Sequence, residues 1–127
     1  FIEKRHALAN RYNKLLKDLP IILPFQNSYN YSSFHLYIIR IPKSELFNRQ
    51  EVFERLRYHG IGVNVHYIPV YHQPYYKQFN FDYSNFPEAE SYYSQAITIP
   101  LFPTLSEDQQ DAVVKVLNMP LGHQALF

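Results

Sequence analysis

Ser33-Phe34-His35-Leu36-Tyr37-Ile38-Ile39-Arg40-Ile41 is the stretch on which the fold turns. Its β-branched and aromatic side chains favour an extended chain, and Pro42 ends it. Large apolar groups stand at both parities, Phe34, Leu36 and Ile38 on one and Tyr37, Ile39 and Ile41 on the other. Such a strand is expected to be covered on both faces, one of them by something outside these 127 residues. Two shorter runs join it. Residues 61–66 alternate Ile61, Val63, Val65 with Gly62, Asn64, His66, and residues 96–99 form a brief strand stopped by Pro100. The polar parity of 61–66 is the first place to look for a site.

Helical patterns surround these strands. Phe1, Leu8, Tyr12, Leu15 and Leu19 recur on one helical face over residues 1–19. No Ser, Thr, Asp or Asn precedes that helix, so the chain is expected to be a piece of a longer protein, with 119–127 as a loose tail or one left by cloning. Residues 48–59 carry the stripe Val52, Phe53, Leu56, with Glu51 four residues before Arg55 and Gly60 placed to end the helix. Pro87 suits the first turn of a helix reaching about Gln95. The last helix has Ser106 and Gln109 as a capping box, with Ala112, Val113, Val116 and Leu117 as its expected buried side. About three short strands among helices predict an α+β fold with a small antiparallel or mixed sheet, not a doubly wound one.

Composition removes several functions. Twelve Lys and Arg balance eleven Asp and Glu, which gives no electrostatic ground for a nucleic-acid or anionic-membrane surface. No cysteine is present, so disulfides, thiolate metal sites and cysteine nucleophiles are excluded. No apolar run approaches the ~20 residues of a membrane span. Gly60, Gly62 and Gly122 are the only glycines, too few for a phosphate-cradling glycine loop. Aromatics make up 17%, with twelve Tyr, ten Phe and no Trp, a composition suited to surfaces that bury apolar area behind a polar tip.

Among reactive side chains, His66 and His72 are close in sequence. Their spacing of six fits neither a helical metal pair nor a hairpin clamp, and no carboxylate lies between them, so no metal site is expected. Contact with a substrate competes with plain packing for these residues. Glu88 and Glu90 read as solvated acids of a helix first turn rather than a catalytic pair. Tyr75, Tyr76, Phe79, Phe81, Tyr83 and Phe86 are too irregular for one element. With only Lys77 beside them they suit a lid or interface better than a base-stacking platform. Arg40 reads as a snorkelling surface side chain, with an anion contact as the other possibility.

One further observation joins these segments. Gly60-Ile61-Gly62-Val63-Asn64-Val65-His66-Tyr67-Ile68-Pro69-Val70-Tyr71-His72-Gln73-Pro74-Tyr75-Tyr76, then Phe86-Pro87-Glu88-Ala89-Glu90, then Ile97-Thr98-Ile99-Pro100-Leu101-Phe102-Pro103 follow one another in this order. In that order they resemble the C-terminal domain of the DegT/DnrJ/EryC1/StrS aminotransferases. The resemblance runs from the first helix to about Leu117. It implies that 1–118 is the small domain of a fold-type I, pyridoxal-phosphate-dependent transaminase, with 1–19 as its linking helix. It further implies a cytoplasmic enzyme that passes an amino group from glutamate to the C4 ketone of a nucleotide-linked deoxysugar for surface-glycan synthesis.

In that family the Schiff-base lysine and the cofactor's other partners lie in a large N-terminal domain. None of Lys4, Lys14, Lys17, Lys43, Lys77 or Lys115 sits in a matching context. The resemblance therefore implies no catalytic residue here, no pyridoxal phosphate bound by this chain alone, and inactivity in isolation. It assigns His66, Tyr67 and His72 to the substrate side of the cleft, with the missing large domain and a second subunit as partners. The alternative from the residues themselves is a self-sufficient aromatic-rich module that binds a carbohydrate or a protein. A small histidine- or metal-dependent enzyme is a third.

Overall fold

The computed structural model describes residues 1–44 and 48–120. Helix α1 (Ile2–Leu16) leads to strand β1 (Tyr37–Arg40) and helix α2 (Arg49–Tyr58). An aromatic stretch of three short 3₁₀ turns follows, at Val70–His72, Pro74–Phe79 and Tyr83–Asn85. Helix α3 (Pro87–Gln95), strand β2 (Ala96–Ile99) and helix α4 (Glu107–Leu117) complete the order. Of the expected tail, 121–127 lie outside the described residues.

The fold is α+β, with β1 and β2 paired antiparallel in the register Tyr37 to Ile99 and Arg40 to Ala96. Instead of a third strand there are two single-residue bridges, Ile22 to Arg40 outside β1 and Asn64 to Thr98 outside β2. The expected strand at 61–66 is thus reduced to Asn64, whose N–H and carbonyl exchange bonds with Thr98. Its neighbours have nothing left to pair with. Toward Gly62 the partner would be Pro100, which has no N–H. Toward His66 it would be Ala96, whose N–H is bonded to the Tyr92 carbonyl and whose own carbonyl accepts from Arg49 Nη1 at 3.3 Å.

The long strand expected over 33–41 is likewise cut to four residues. At its open end Arg5 Nη1 donates to the carbonyls of Phe34, His35 and Leu101 at 3.0–3.1 Å, so a side chain from α1 replaces the ladder there. At the other end Ile41 N–H bonds the Gln95 carbonyl before Pro42 stops the pairing.

One face of the ladder makes the core. Tyr37, Ile39 and Ile41 with Ile97 and Ile99 are buried against Ala9, Tyr12 and Leu16 of α1, Val52 and Leu56 of α2, and Val113, Val116 and Leu117 of α4. The two large phenols keep their hydroxyls satisfied: Tyr12 Oη donates to the Pro100 carbonyl at 2.8 Å and Tyr37 Oη to Asn13 Oδ1 at 2.5 Å. Burial pushes both phenols well above their ordinary pKa.

Two sequence expectations about this core need correction. The α1 stripe buries Ala9, Tyr12 and Leu16, while Leu15 and Phe1 are exposed. In α4 Ala112 is exposed and Gln110 is fully buried. The reason is polar: Gln110 Nε2 donates to the Leu8 carbonyl at 2.9 Å, joining α4 to α1. The caps expected at Gly60 and at Ser106 with Gln109 are present, and Asn48 supplies a further one. Asn48 Oδ1 accepts from the Glu51 N–H, Gly60 adopts φ +77° after α2, and Ser106 and Gln109 close a reciprocal capping box.

Candidate functional site

The second face of the ladder carries Ile38 and Arg40 from β1 and Ala96 and Thr98 from β2, the cross-strand partners of one parity. Helix α3 covers part of it. The Arg40 guanidinium lies 5.4 Å from the centre of the Tyr92 ring, beside a groove of about 350 Å³ walled by Leu23, Phe25, Leu36, Ile38 and Arg40. The rest stays open. That openness is confined to β1: Ile38 and Arg40 are half-buried, whereas Ala96 and Thr98 on the same face are enclosed.

At the other end of this face a shallow cavity of about 170 Å³ is lined by His35, Leu36, Gly62, Asn64, His66 and Thr98. His66 Nδ1 meets Thr98 Oγ1 at 2.8 Å. Among the described residues its Nε2 has no hydrogen-bond partner. The peptide between His66 and Tyr67 is cis, and the Tyr67 side chain is 66% exposed, its ring 6.2 Å from that of His66. A half-buried imidazole with one free nitrogen and an exposed phenol are suited to bonding hydroxyl, carbonyl or phosphate oxygens while the rings pack on a flat ligand.

His72 stands in a different set. Its Nε2 bonds Glu90 Oε1 at 2.5 Å, the same oxygen that accepts from Tyr71 Oη at 2.7 Å. The ring stacks on Tyr83 with centres 4.0 Å apart, and Tyr71 stacks on Phe86 at 4.5 Å. The Tyr71 bond, and after it the His72 bond, hold the Glu90 carboxyl below its usual range. Partial burial and then Glu90 push the Tyr71 phenol up to about 12. The structure therefore joins His66 to β2 and His72 to α3, and no hydrogen bond unites the two histidines.

Sequence reasoning missed Glu90. It takes the pairing just described, while Glu88 is the exposed first-turn acid expected of both. No local signal marks it, because its partners lie 18 and 19 residues away. Thr98 was missed too, although a lone hydroxyl in Ala96-Ile97-Thr98-Ile99 is a legible signal. Among the described residues no group of three or more His, Asp or Glu could hold a metal ion. Lys4, Lys14, Lys17, Lys43, Lys77 and Lys115 are all exposed. No described helix is long and apolar enough to cross a membrane.

A short ladder with helices on one face and a polar-rimmed, half-open second face defines an α+β domain whose site is a surface rather than an enclosed cavity. The chain belongs to the DegT/DnrJ/EryC1/StrS aminotransferase family, whose profile matches residues 1–118. It is 33% identical over 119 residues to the Bacillus subtilis spore coat polysaccharide biosynthesis protein SpsC, covering 91% of this chain and 31% of that one. Spr1654 of Streptococcus pneumoniae, provisionally assigned as a sugar aminotransferase, superposes in its PLP-form with a TM-score of 0.82 at 30% identity, over 91% of this chain and 30% of that one. A PMP-form of Spr1654 matches equally well, at TM-score 0.82. Helicobacter pylori PseC, an aminotransferase involved in the biosynthesis of pseudoaminic acid, superposes with a TM-score of 0.75 at 27% identity, over 91% of this chain and 31% of that one. The chain spans about three tenths of the length of these relatives.

Proposed function

We propose that this chain is the C-terminal, substrate-side domain of a cytoplasmic transaminase that converts the 4-keto group of a nucleotide-linked deoxysugar to an amine with glutamate as donor. Residues 1–118 form the small domain, and α1 links it to a large N-terminal domain in a homodimer. Within the family it takes the part of a UDP-4-amino-4,6-dideoxy-N-acetyl-β-L-altrosamine transaminase of the pseudaminic acid pathway, and the likeness to PseC supports that reading. The product then serves surface-glycan synthesis, in keeping with the polysaccharide role of SpsC.

One observation carries the proposal: a chain matched to this family over residues 1–118 presents a shallow cavity lined by His66, with the exposed Tyr67 beside it. Pyridoxal phosphate, held by the large domain, supplies the carbonyl that carries the amine. His66, Tyr67 and, farther along the aromatic stretch, His72 bind and orient the sugar nucleotide. The exposed tyrosines and phenylalanines of 75–86 pack on the large domain or the second subunit and exclude water from the cleft. The chain alone is inactive.

The test is an assay of the full-length parent with a UDP-linked 4-keto-6-deoxy sugar and glutamate. The amino sugar is expected, the 127-residue chain is expected to give none, and His66→Ala or Tyr67→Phe should raise the KM for the sugar nucleotide. Turnover by the isolated chain, or unchanged KM and kcat in both variants, overturns the reading.

A further inference from the structure

Thr98 grips the candidate site at two points. Its N–H and carbonyl exchange bonds with Asn64 at 2.7 and 3.3 Å, and its Oγ1 meets His66 Nδ1 at 2.8 Å. At 8% exposure it is nearly enclosed, and a β-branched side chain in a strand has few rotamers to choose from. Two residues of the site-bearing loop are thereby fixed relative to β2. The imidazole could otherwise turn about two torsions; with Nδ1 held, the position of Nε2 follows.

The bond also bears on the ring proton. Among the described residues the Thr98 hydroxyl hydrogen has no acceptor other than His66 Nδ1. Donation from Thr98 Oγ1 to Nδ1 satisfies that hydrogen, and it leaves the neutral ring with its proton on Nε2.

We infer that Thr98 is a positioning residue that holds His66 as an Nε2–H donor aimed into the cleft, toward an acceptor oxygen of the sugar nucleotide. The inference rests on the substrate-side reading of His66 given above. Geometry and tautomer, however, belong to this chain alone and are testable without turnover.

The experiment uses the full-length parent labelled with ¹⁵N-histidine, the His66 signal being identified by its loss in His66→Gln. Wild type and Thr98→Ser, which retains the hydroxyl, are expected to show one tautomer protonated at Nε2. Thr98→Val, which keeps the shape and strand preference but not the hydroxyl, is expected to show a mixture. A ring protonated at Nδ1 in wild type, or a His66 signal unmoved in Thr98→Val, overturns the inference.

Kinetics give the second readout. Thr98→Val should raise the KM for the sugar nucleotide by about threefold to tenfold, the worth of one hydrogen bond, and leave the glutamate half-reaction unchanged. Thr98→Ser should restore the wild-type value, and Thr98→Val should add nothing in a His66→Gln background. Additive effects of the two substitutions overturn the positioning role. If His66→Gln itself leaves KM unchanged while the tautomer result holds, the substrate-side reading fails and the hold of Thr98 on the ring stands.

Discussion

Glu90 in α3 binds the Nε2 of His72, 18 residues earlier in the chain, at 2.5 Å. Its Oε1 also accepts from Tyr71, so one carboxylate oxygen gathers the last two residues of the first 3₁₀ turn. The aromatic stretch contributes no residue to the buried core, and this carboxylate links it to a regular element.

Acid should loosen that link. A carboxyl held below its ordinary pKa contributes stability above its unfolded value, and the contribution is lost as pH falls through the depressed value. As pH falls below about 4.3, the ordinary glutamate value, the amides of residues 83–90 should lose hydrogen-exchange protection before those of β1 and β2. Loss on raising the pH through neutrality instead would contradict the assignment.

Glu90→Gln separates charge from acceptor. The amide oxygen can still accept from Tyr71, but it has no charge to titrate. Protection at neutral pH should fall by no more than a few-fold and its acid dependence should flatten. A variant that keeps the wild-type acid profile would place the titrating group elsewhere.

Arg5→Met removes the donor that three carbonyls share at the open end of the ladder. The thioether retains the length of the side chain but offers no N–H. Hydrogen bonds from a charged donor are each worth about 1.5–3 kcal/mol, and water can reach part of this site, so a net loss of about 2 kcal/mol is expected in urea unfolding. A change below about 0.5 kcal/mol would show that water replaces the guanidinium without cost.

Gly60→Ala tests a conformational term free of crowding. The glycine sits at φ +77° with nothing within 4 Å of where a Cβ would lie. The substitution should cost about 1 kcal/mol from the left-handed backbone alone. Gly60→Asn should cost less, because asparagine tolerates that region, and equal costs in urea melts would refute the assignment.

Ser106→Ala removes the acceptor for the Gln109 N–H and should destabilise by about 1 kcal/mol. Gln109→Ala, which deletes the reverse bond to the Ser106 N–H, should cost less than the serine change in the same melts.

These sites show which features were legible in the sequence. Asn48, Gly60, Pro87 and the Ser106–Gln109 pair act within a turn of the chain, and each marked its boundary to within a residue or two. Strand length was not local. The runs at 33–41 and 61–66 have strand character throughout, yet Arg5 takes the carbonyls of the first at one end and Pro100 withholds a donor from the second. Periodicity also failed where a polar group was buried. Gln110 displaces Ala112 because its buried amide finds an acceptor in the Leu8 carbonyl, on a helix 102 residues away. The candidate site divides in the same manner. The polar parity of 61–66 was visible and pointed to His66, Tyr67 was marked only by the family resemblance, and Thr98 and Glu90 acquire their roles only when distant segments meet.

The bridges at Ile22 and Asn64 give the ladder guarded margins. Each flanking segment docks for one residue and then departs, leaving no long straight border of free amides and carbonyls for a second copy to extend. Enrichment in tyrosine and phenylalanine would otherwise invite sheet-like stacking between molecules. Association of this chain should accordingly proceed through its aromatic surfaces, and fibre-forming conditions should find little strand to recruit.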